Sequence, residues 1–167
     1  MNKLKIDNDQ FRALISKICR DIAVSGWRPD YIVGITRGGL IPAVMISHYL
    51  GVPMKSLDVS LRDGGDTETN AWMAEDAYGY NEAPKNILIV DDINDTGATL
   101  DWIIQDWQGN PQSKDRRWDD VWGNNVRFAV LIDNEESEAT IDYSAWDINK
   151  AANPEWCVFH WESWWNP

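Results

Sequence analysis

Three carboxylates and a short polar loop stand together in Asp91-Asp92-Ile93-Asn94-Asp95-Thr96-Gly97-Ala98-Thr99. Directly ahead lies Ile87-Leu88-Ile89-Val90, a fully apolar run of the kind found in a strand covered on both faces. Behind it, the apolar spacing over roughly 99–108 predicts a helix. Thr96, Gly97, Ala98 and Thr99 therefore feed a helix N-terminus, where main-chain N–H groups lack partners and the helix dipole favours an anion. Gly97 permits close backbone approach, and the threonine hydroxyls add donors. A phosphate monoester fits that end. Asp91, Asp92 and Asp95 would repel a bare phosphate, so the ligand must carry hydroxyls, developing positive charge or a divalent cation at its other end. A phosphorylated sugar with Mg²⁺ meets both demands. The plainer reading, aspartates that only cap a helix and build a turn, accounts for one carboxylate and not for three.

Rival phosphate and metal motifs fail on spacing. The Walker pattern G-x-x-x-x-G-K-[ST] is absent, and Gly34, Gly38 and Gly39 do not make G-x-G-x-x-G. An EF-hand begun at Asp92 places Gly97 correctly but has Ile103 where its twelfth-position Glu is required. A second turn, Thr36-Arg37-Gly38-Gly39, follows the β-rich run 31–35 and precedes a helix predicted over roughly 40–50. Arg37 reads as functional there, with a surface cation as the alternative.

The stretch 89–99 closely resembles the phosphoribosyl pyrophosphate (PRPP) signature of type I phosphoribosyltransferases. The turn Thr36-Arg37-Gly38-Gly39-Leu40 resembles that family's pyrophosphate-binding loop. Bacterial xanthine-guanine and hypoxanthine phosphoribosyltransferases are the subgroup most resembled, over roughly residues 10–160. The resemblance implies that Thr96, Gly97, Ala98 and Thr99 hold the 5′-phosphate. It places Asp91 and Asp92 under the ribose hydroxyls, with Asp92 as the metal ligand and Mg²⁺ as cofactor. Asp95 becomes the general base or proton acceptor near purine N7. Thr36, Arg37 and Gly38 grip the pyrophosphate, and a cis peptide before Arg37 is in keeping with the family. Residues 62–85 become a mobile flap, and about 133–167 a small C-terminal hood. The implied reaction is transfer of 5-phosphoribosyl from PRPP to a nucleobase, a purine first, giving a nucleoside 5′-monophosphate and pyrophosphate. Elementary electrostatics agrees: losing pyrophosphate from C1′ builds positive charge on the sugar, which nearby carboxylates stabilise.

The base-binding end departs from the pattern. The family places a Lys after the strand corresponding to 128–132, to hold a 6-oxo group; here Asp133-Asn134-Glu135-Glu136 follows. An ionised carboxylate only accepts hydrogen bonds, so an amino-bearing base enters consideration. Ile132, Asp133 and Trp156 are the expected base contacts, with Trp146 as an alternative ring. Lys150 reads first as a solvated surface lysine and second as a replacement cation. Two rival functions remain open: a non-catalytic PRPP- or nucleotide-sensing regulator on the same fold, and a transferase with a non-purine acceptor.

The elements that must position these groups alternate. A helix is predicted over 8–25, with Phe11, Leu14, Ile15, Ile18, Cys19 and Ile22 at helical spacing, Asp7 or Asn8 as N-cap and Gly26 as stop. Strands are expected at 31–35, 52–61, 87–90 and 128–132, with weaker ones at 143–148 and 156–160. Residues 62–85 lack clear periodicity, and 109–125 read as a loop. The fold class is α/β, a parallel-rich sheet flanked by helices in one domain of 167 residues. Trp102 is expected in the core, and the Trp-rich tail, Trp161, Trp164 and Trp165, at a subunit interface of a homodimer or higher homo-oligomer.

Composition narrows the partners. Fifteen Lys and Arg stand against 27 Asp and Glu, a formal net charge of −12, which opposes binding to nucleic acid or to an anionic membrane. Cys19 and Cys157 read as buried, reduced thiols. The opening MNKLKIDNDQ meets a charge before any apolar core, so neither a signal peptide nor a membrane span is expected, and the cytoplasm is the expected location.

Overall fold

The computed structural model describes residues 1–59, 71–80, 82–109 and 117–166. Helix α1 (Asn8–Ser25) starts at Asp7, whose side chain accepts from the Gln10 N–H while the Gln10 side chain accepts from the Asp7 N–H. This reciprocal cap satisfies two orphan donors and contributes about 1 kcal/mol. Gly26, at φ 72°, ends the helix. The predicted stripe is the buried one, except that Leu14 is only partly buried.

Five parallel strands form the main sheet in the order β3-β2-β4-β5-β6. They are β2 (Tyr31–Thr36), β3 (Met54–Asp58), β4 (Ile87–Asn94), β5 (Val126–Asn134) and β6 (Tyr143–Ile148). Alternate residues face opposite layers. Ile32, Leu88, Val90, Ala129 and Leu131 pack with α1 and with α2 (Leu40–Leu50). Val33, Ile35, Ile87, Ile89 and Phe128 pack with α3 (Ala71–Tyr78) and α4 (Ala98–Gly109). The expected α/β class holds, and helices cover both faces.

The strand order creates the crevice. β2 stays paired with β3 as far as Thr36 against Asp58, but with β4 only as far as Gly34 against Val90. β4 continues beside β5 out to Asn94 against Asp133. The two central strands therefore separate at their carboxyl ends, at the point where the winding direction reverses, and ligands of open α/β sheets bind at such a point.

Several expectations need correction. An unforeseen strand, β1 (Asn2–Ile6), pairs in parallel with β7 (Glu155–Phe159) as a two-stranded sheet. The β strand expected over 52–61 is shorter. Of the segment expected to be a mobile flap, 62–70 and 81 lie outside the described residues, but 71–78 is helix α3. Met73, Ala74, Ala77 and Tyr78 form its buried face, and a helix with that much apolar contact is part of the core. Trp102 is only partly buried, whereas Trp107 is fully buried. Trp118 and Trp122, expected in a loop, pack against the same core cluster, with Trp122 stacked on Phe128. At the tail, Trp161 stacks on Phe159 and meets the edge of Phe11, while Trp164 and Trp165 are exposed. Both cysteines are buried and unpaired by disulfide. No helix among the described residues is long and apolar enough to cross a membrane.

Candidate functional site

One wall of the crevice is the loop after β2. The Thr36–Arg37 peptide is cis. Gly39 N–H donates to Ile35 O and Leu40 N–H to Arg37 O, turning the chain sharply into α2. A Cβ on Gly39 would clash with Val90 O and lie 2.7 Å from Ile35 O, so only glycine lets this loop lie on the sheet. Thr36 Oγ1 donates to Asp58 Oδ1 at 2.9 Å, which uses the single proton that hydroxyl can offer. The side chain of Thr36 therefore holds the loop to β3. Arg37 is exposed at the crevice mouth.

The facing wall is the end of β4 and the start of α4. A Cβ on Gly38 would overlap the Asp92 carboxylate, so the two loops, distant in sequence, are in direct contact here. Asp91 Oδ1 accepts from Asp92 N–H at 2.9 Å, and Asp92 Oδ1 from Ile93 N–H at 2.8 Å. Burial, then the charge of Asp92, pushes the Asp91 carboxyl well above the usual carboxylate range. That repulsion is what a cation or sugar hydroxyls would relieve. Gly97 adopts φ 89°, and a Cβ there would sit 2.8 Å from Ser137 Oγ. Ala98 N–H turns back to Thr96 Oγ1 at 3.2 Å, and Asp101 N–H closes the first turn of α4 on Gly97 O.

No group of three or more His, Cys, Asp or Glu among the described residues is placed to hold a metal ion by itself. The donors at hand are two adjacent aspartates, all-oxygen and doubly acidic. That set suits Mg²⁺, which takes one or two carboxylates and completes its shell with water and substrate oxygens. The residues fit the ion in that shared form.

The third side of the site comes from β5 and the connection between β6 and β7. Asp133 Oδ1 accepts from Asn94 Nδ2 at 2.8 Å, and the same amide contacts Ser137 Oγ. Burial, only partly offset by that hydrogen bond, raises the Asp133 carboxyl. Asp133 is thus engaged by its neighbour strand. The side chain of Ile132 is fully buried in the core cluster beneath α1 and α2. Trp156, on β7, is partly exposed. Lys150 is not a solvated lysine. Its Nζ lies 2.9 Å from Asp95 Oδ2, and the two side chains are 19% and 25% exposed.

The structure thus brings Gly38 against Asp92, and places Asp91, Asp95 and residues 96–99 along one strand end. Sequence reasoning missed Asn94, Asn134 and Asp58. Asn94 and Asn134 are buried polar side chains, which must be hydrogen-bonded, and each braces the site from behind. The two asparagines end the adjacent strands β4 and β5, each shortly after an apolar run, and that was the signal that could have found them.

The chain matches the family description "Phosphoribosyl transferase domain" over residues 5–166. It is 31% identical over 111 residues to the xanthine-guanine phosphoribosyltransferase of Cereibacter sphaeroides, covering 56% of this chain and 62% of that protein. It is 24% identical over 177 residues to the hypoxanthine-guanine phosphoribosyltransferase of Schizosaccharomyces pombe, covering 89% of this chain and 85% of that one. The crystal structure of the purine phosphoribosyltransferase of Pyrococcus horikoshii Ot3 superposes with a TM-score of 0.67 at 26% identity, over 96% of this chain and 94% of that one. With the crevice, its two glycine-bearing loops and this match along nearly the whole length, the chain belongs to the phosphoribosyl transferase domain family.

Proposed function

We propose that this protein transfers 5-phosphoribosyl from PRPP to a purine base, releasing pyrophosphate and forming a nucleoside 5′-monophosphate. The observation that carries the reading is the contact between the two loops, where Gly38 packs directly on the Asp92 carboxylate. It puts an arginine-bearing turn and the aspartate-bearing end of β4 on opposite sides of one crevice. A ligand with a phosphate at each end of a sugar suits that spacing.

The 5′-phosphate would rest on the N-terminus of α4, on the loop of Thr96, Gly97, Ala98 and Thr99. Arg37 would face the pyrophosphate, where a planar guanidinium matches phosphate oxygens bidentately. Asp91 and Asp92 would accept from the ribose hydroxyls. Asp92, with Asp91 beside it, would hold Mg²⁺ jointly with substrate oxygens, and the ion would offset charge on the departing pyrophosphate. As the bond to pyrophosphate breaks, the sugar becomes cationic and the aspartates stabilise it. Asp95, next in line, would take the proton that the base gives up.

Residues from about 133 to 167 are proposed as the hood over the base. The exposed Trp164 and Trp165 support a homo-oligomer, and the reduced thiols a cytoplasmic setting. Incubation with PRPP, Mg²⁺ and a panel of purines and pyrimidines, followed by pyrophosphate release, tests the reading. At least one purine should drive stoichiometric release. Tight PRPP binding with no release by any base would instead make the protein a PRPP-sensing regulator.

A further inference from the structure

One buried amide fixes both ends of the Asp95–Lys150 pair. Asn134 Nδ2 donates to the Asp95 carbonyl at 2.9 Å, and Asn134 Oδ1 accepts from the Lys150 N–H at 3.2 Å. The turn carrying Lys150 is closed by Asn149, whose Oδ1 accepts from Ala152 N–H at 2.8 Å and whose carbonyl accepts from Asn153 N–H. The ammonium lies 2.9 Å from Asp95 Oδ2 and 5.6 Å from the ring centre of Trp156. A lysine side chain is long and loses much rotamer freedom when held. Here its backbone is held by the Asn134 side chain of β5 and its ammonium by Asp95, 55 positions away.

The chemistry of the pair is that of a reading head. Asp95 only accepts while ionised, and an ammonium only donates, with three protons to place. Acceptor and donor stand one hydrogen-bond length apart. A planar base that offers a ring N–H and, beside it, a carbonyl oxygen satisfies both at once, and Lys150 can keep Asp95 with one proton while giving another to the carbonyl. A base with an amino group at that place sets donor against donor, and a mismatched polar group in a desolvated site is strongly refused. Asp133 does not compete for this role, being engaged by Asn94.

We propose that Lys150 determines base specificity, by donating to a carbonyl on the base next to the nitrogen served by Asp95. This rests on the transferase reading above. The test is calorimetric, on the intact protein, with inosine 5′-monophosphate, adenosine 5′-monophosphate and Mg²⁺-PRPP as probes. Wild type should prefer the inosine nucleotide by roughly tenfold or more, as befits one charge-assisted hydrogen bond. Lys150→Met should erase that preference through weaker inosine-nucleotide binding, leave PRPP binding within about twofold and keep a cooperative unfolding transition. Lys150→Arg, which restores the charge, should recover part of the preference. A preference that survives Lys150→Met, or a loss equal for all three probes, overturns the role of Lys150 while leaving the transferase reading intact. A wild type that binds none of the three overturns both.

Discussion

The phosphate-facing and base-facing ends of this site are built in different ways. At the phosphate end each functional unit is a short contiguous loop between a strand and a helix, 36–39 and 91–99. Its geometry follows from the glycines, the strand end and the helix start. At the base end, Asp95 comes from the loop just after β4, Asn134 from β5, Lys150 from the connection after β6 and Trp156 from β7. No local pattern encodes that assembly. The first kind of site is fixed by backbone geometry and tolerates little; the second depends on side chains that meet only once the sheet has formed, and it is where acceptor choice can change.

The two ends should separate under mutation. Asp95→Asn should lower kcat by roughly 10²-fold or more while PRPP affinity stays near normal, because the proton acceptor is lost and the phosphate cradle is not. Steady-state kinetics with PRPP titration checks it, and near-normal turnover would remove Asp95 from the chemistry. Arg37→Ala should weaken PRPP binding by roughly 10- to 100-fold yet spare binding of the nucleoside monophosphate, which has no pyrophosphate to lose. Equal losses for both ligands would mean that the two ends are not independent. Gly38→Ala should fold, since the atoms it meets belong to the Asp92 side chain. Displacing that carboxylate should weaken PRPP binding about tenfold and raise the Mg²⁺ needed. Isothermal titration at several Mg²⁺ concentrations reads this directly. The smallest effect belongs to Trp156→Ala, which should raise the KM for base about two- to tenfold with kcat and the KM for PRPP unchanged.

Legibility in the sequence divided along the same line. The α/β class, α1 with its Asp7 cap and Gly26 stop, and the strand–turn–helix units were all readable, because each depends on local periodicity or on a contiguous turn. Helix α3 was not, since its eight residues follow an acidic, glycine-bearing stretch that masks the short apolar face of Met73, Ala74, Ala77 and Tyr78. β1 was missed although Lys3 and Lys5 alternate with Leu4 and Ile6, because the run is only five residues long and its partner β7 lies at the far end of the sequence. Lys150 was misjudged for a similar reason. Its burial is caused by Asp95 and Asn134, 55 and 16 positions away. Asp133 invited the thought of an amino-bearing base, and its Oδ1 proves to be taken by Asn94 on the neighbouring strand.

The central claim is that the two loops enclose one activated ribose between them. A crystal soaked with PRPP and Mg²⁺ examines it most directly. The 5′-phosphate should lie on the main-chain amides of residues 96–99, with the pyrophosphate against Arg37. Density for the donor elsewhere on the molecule, with this crevice filled only by solvent, would contradict it.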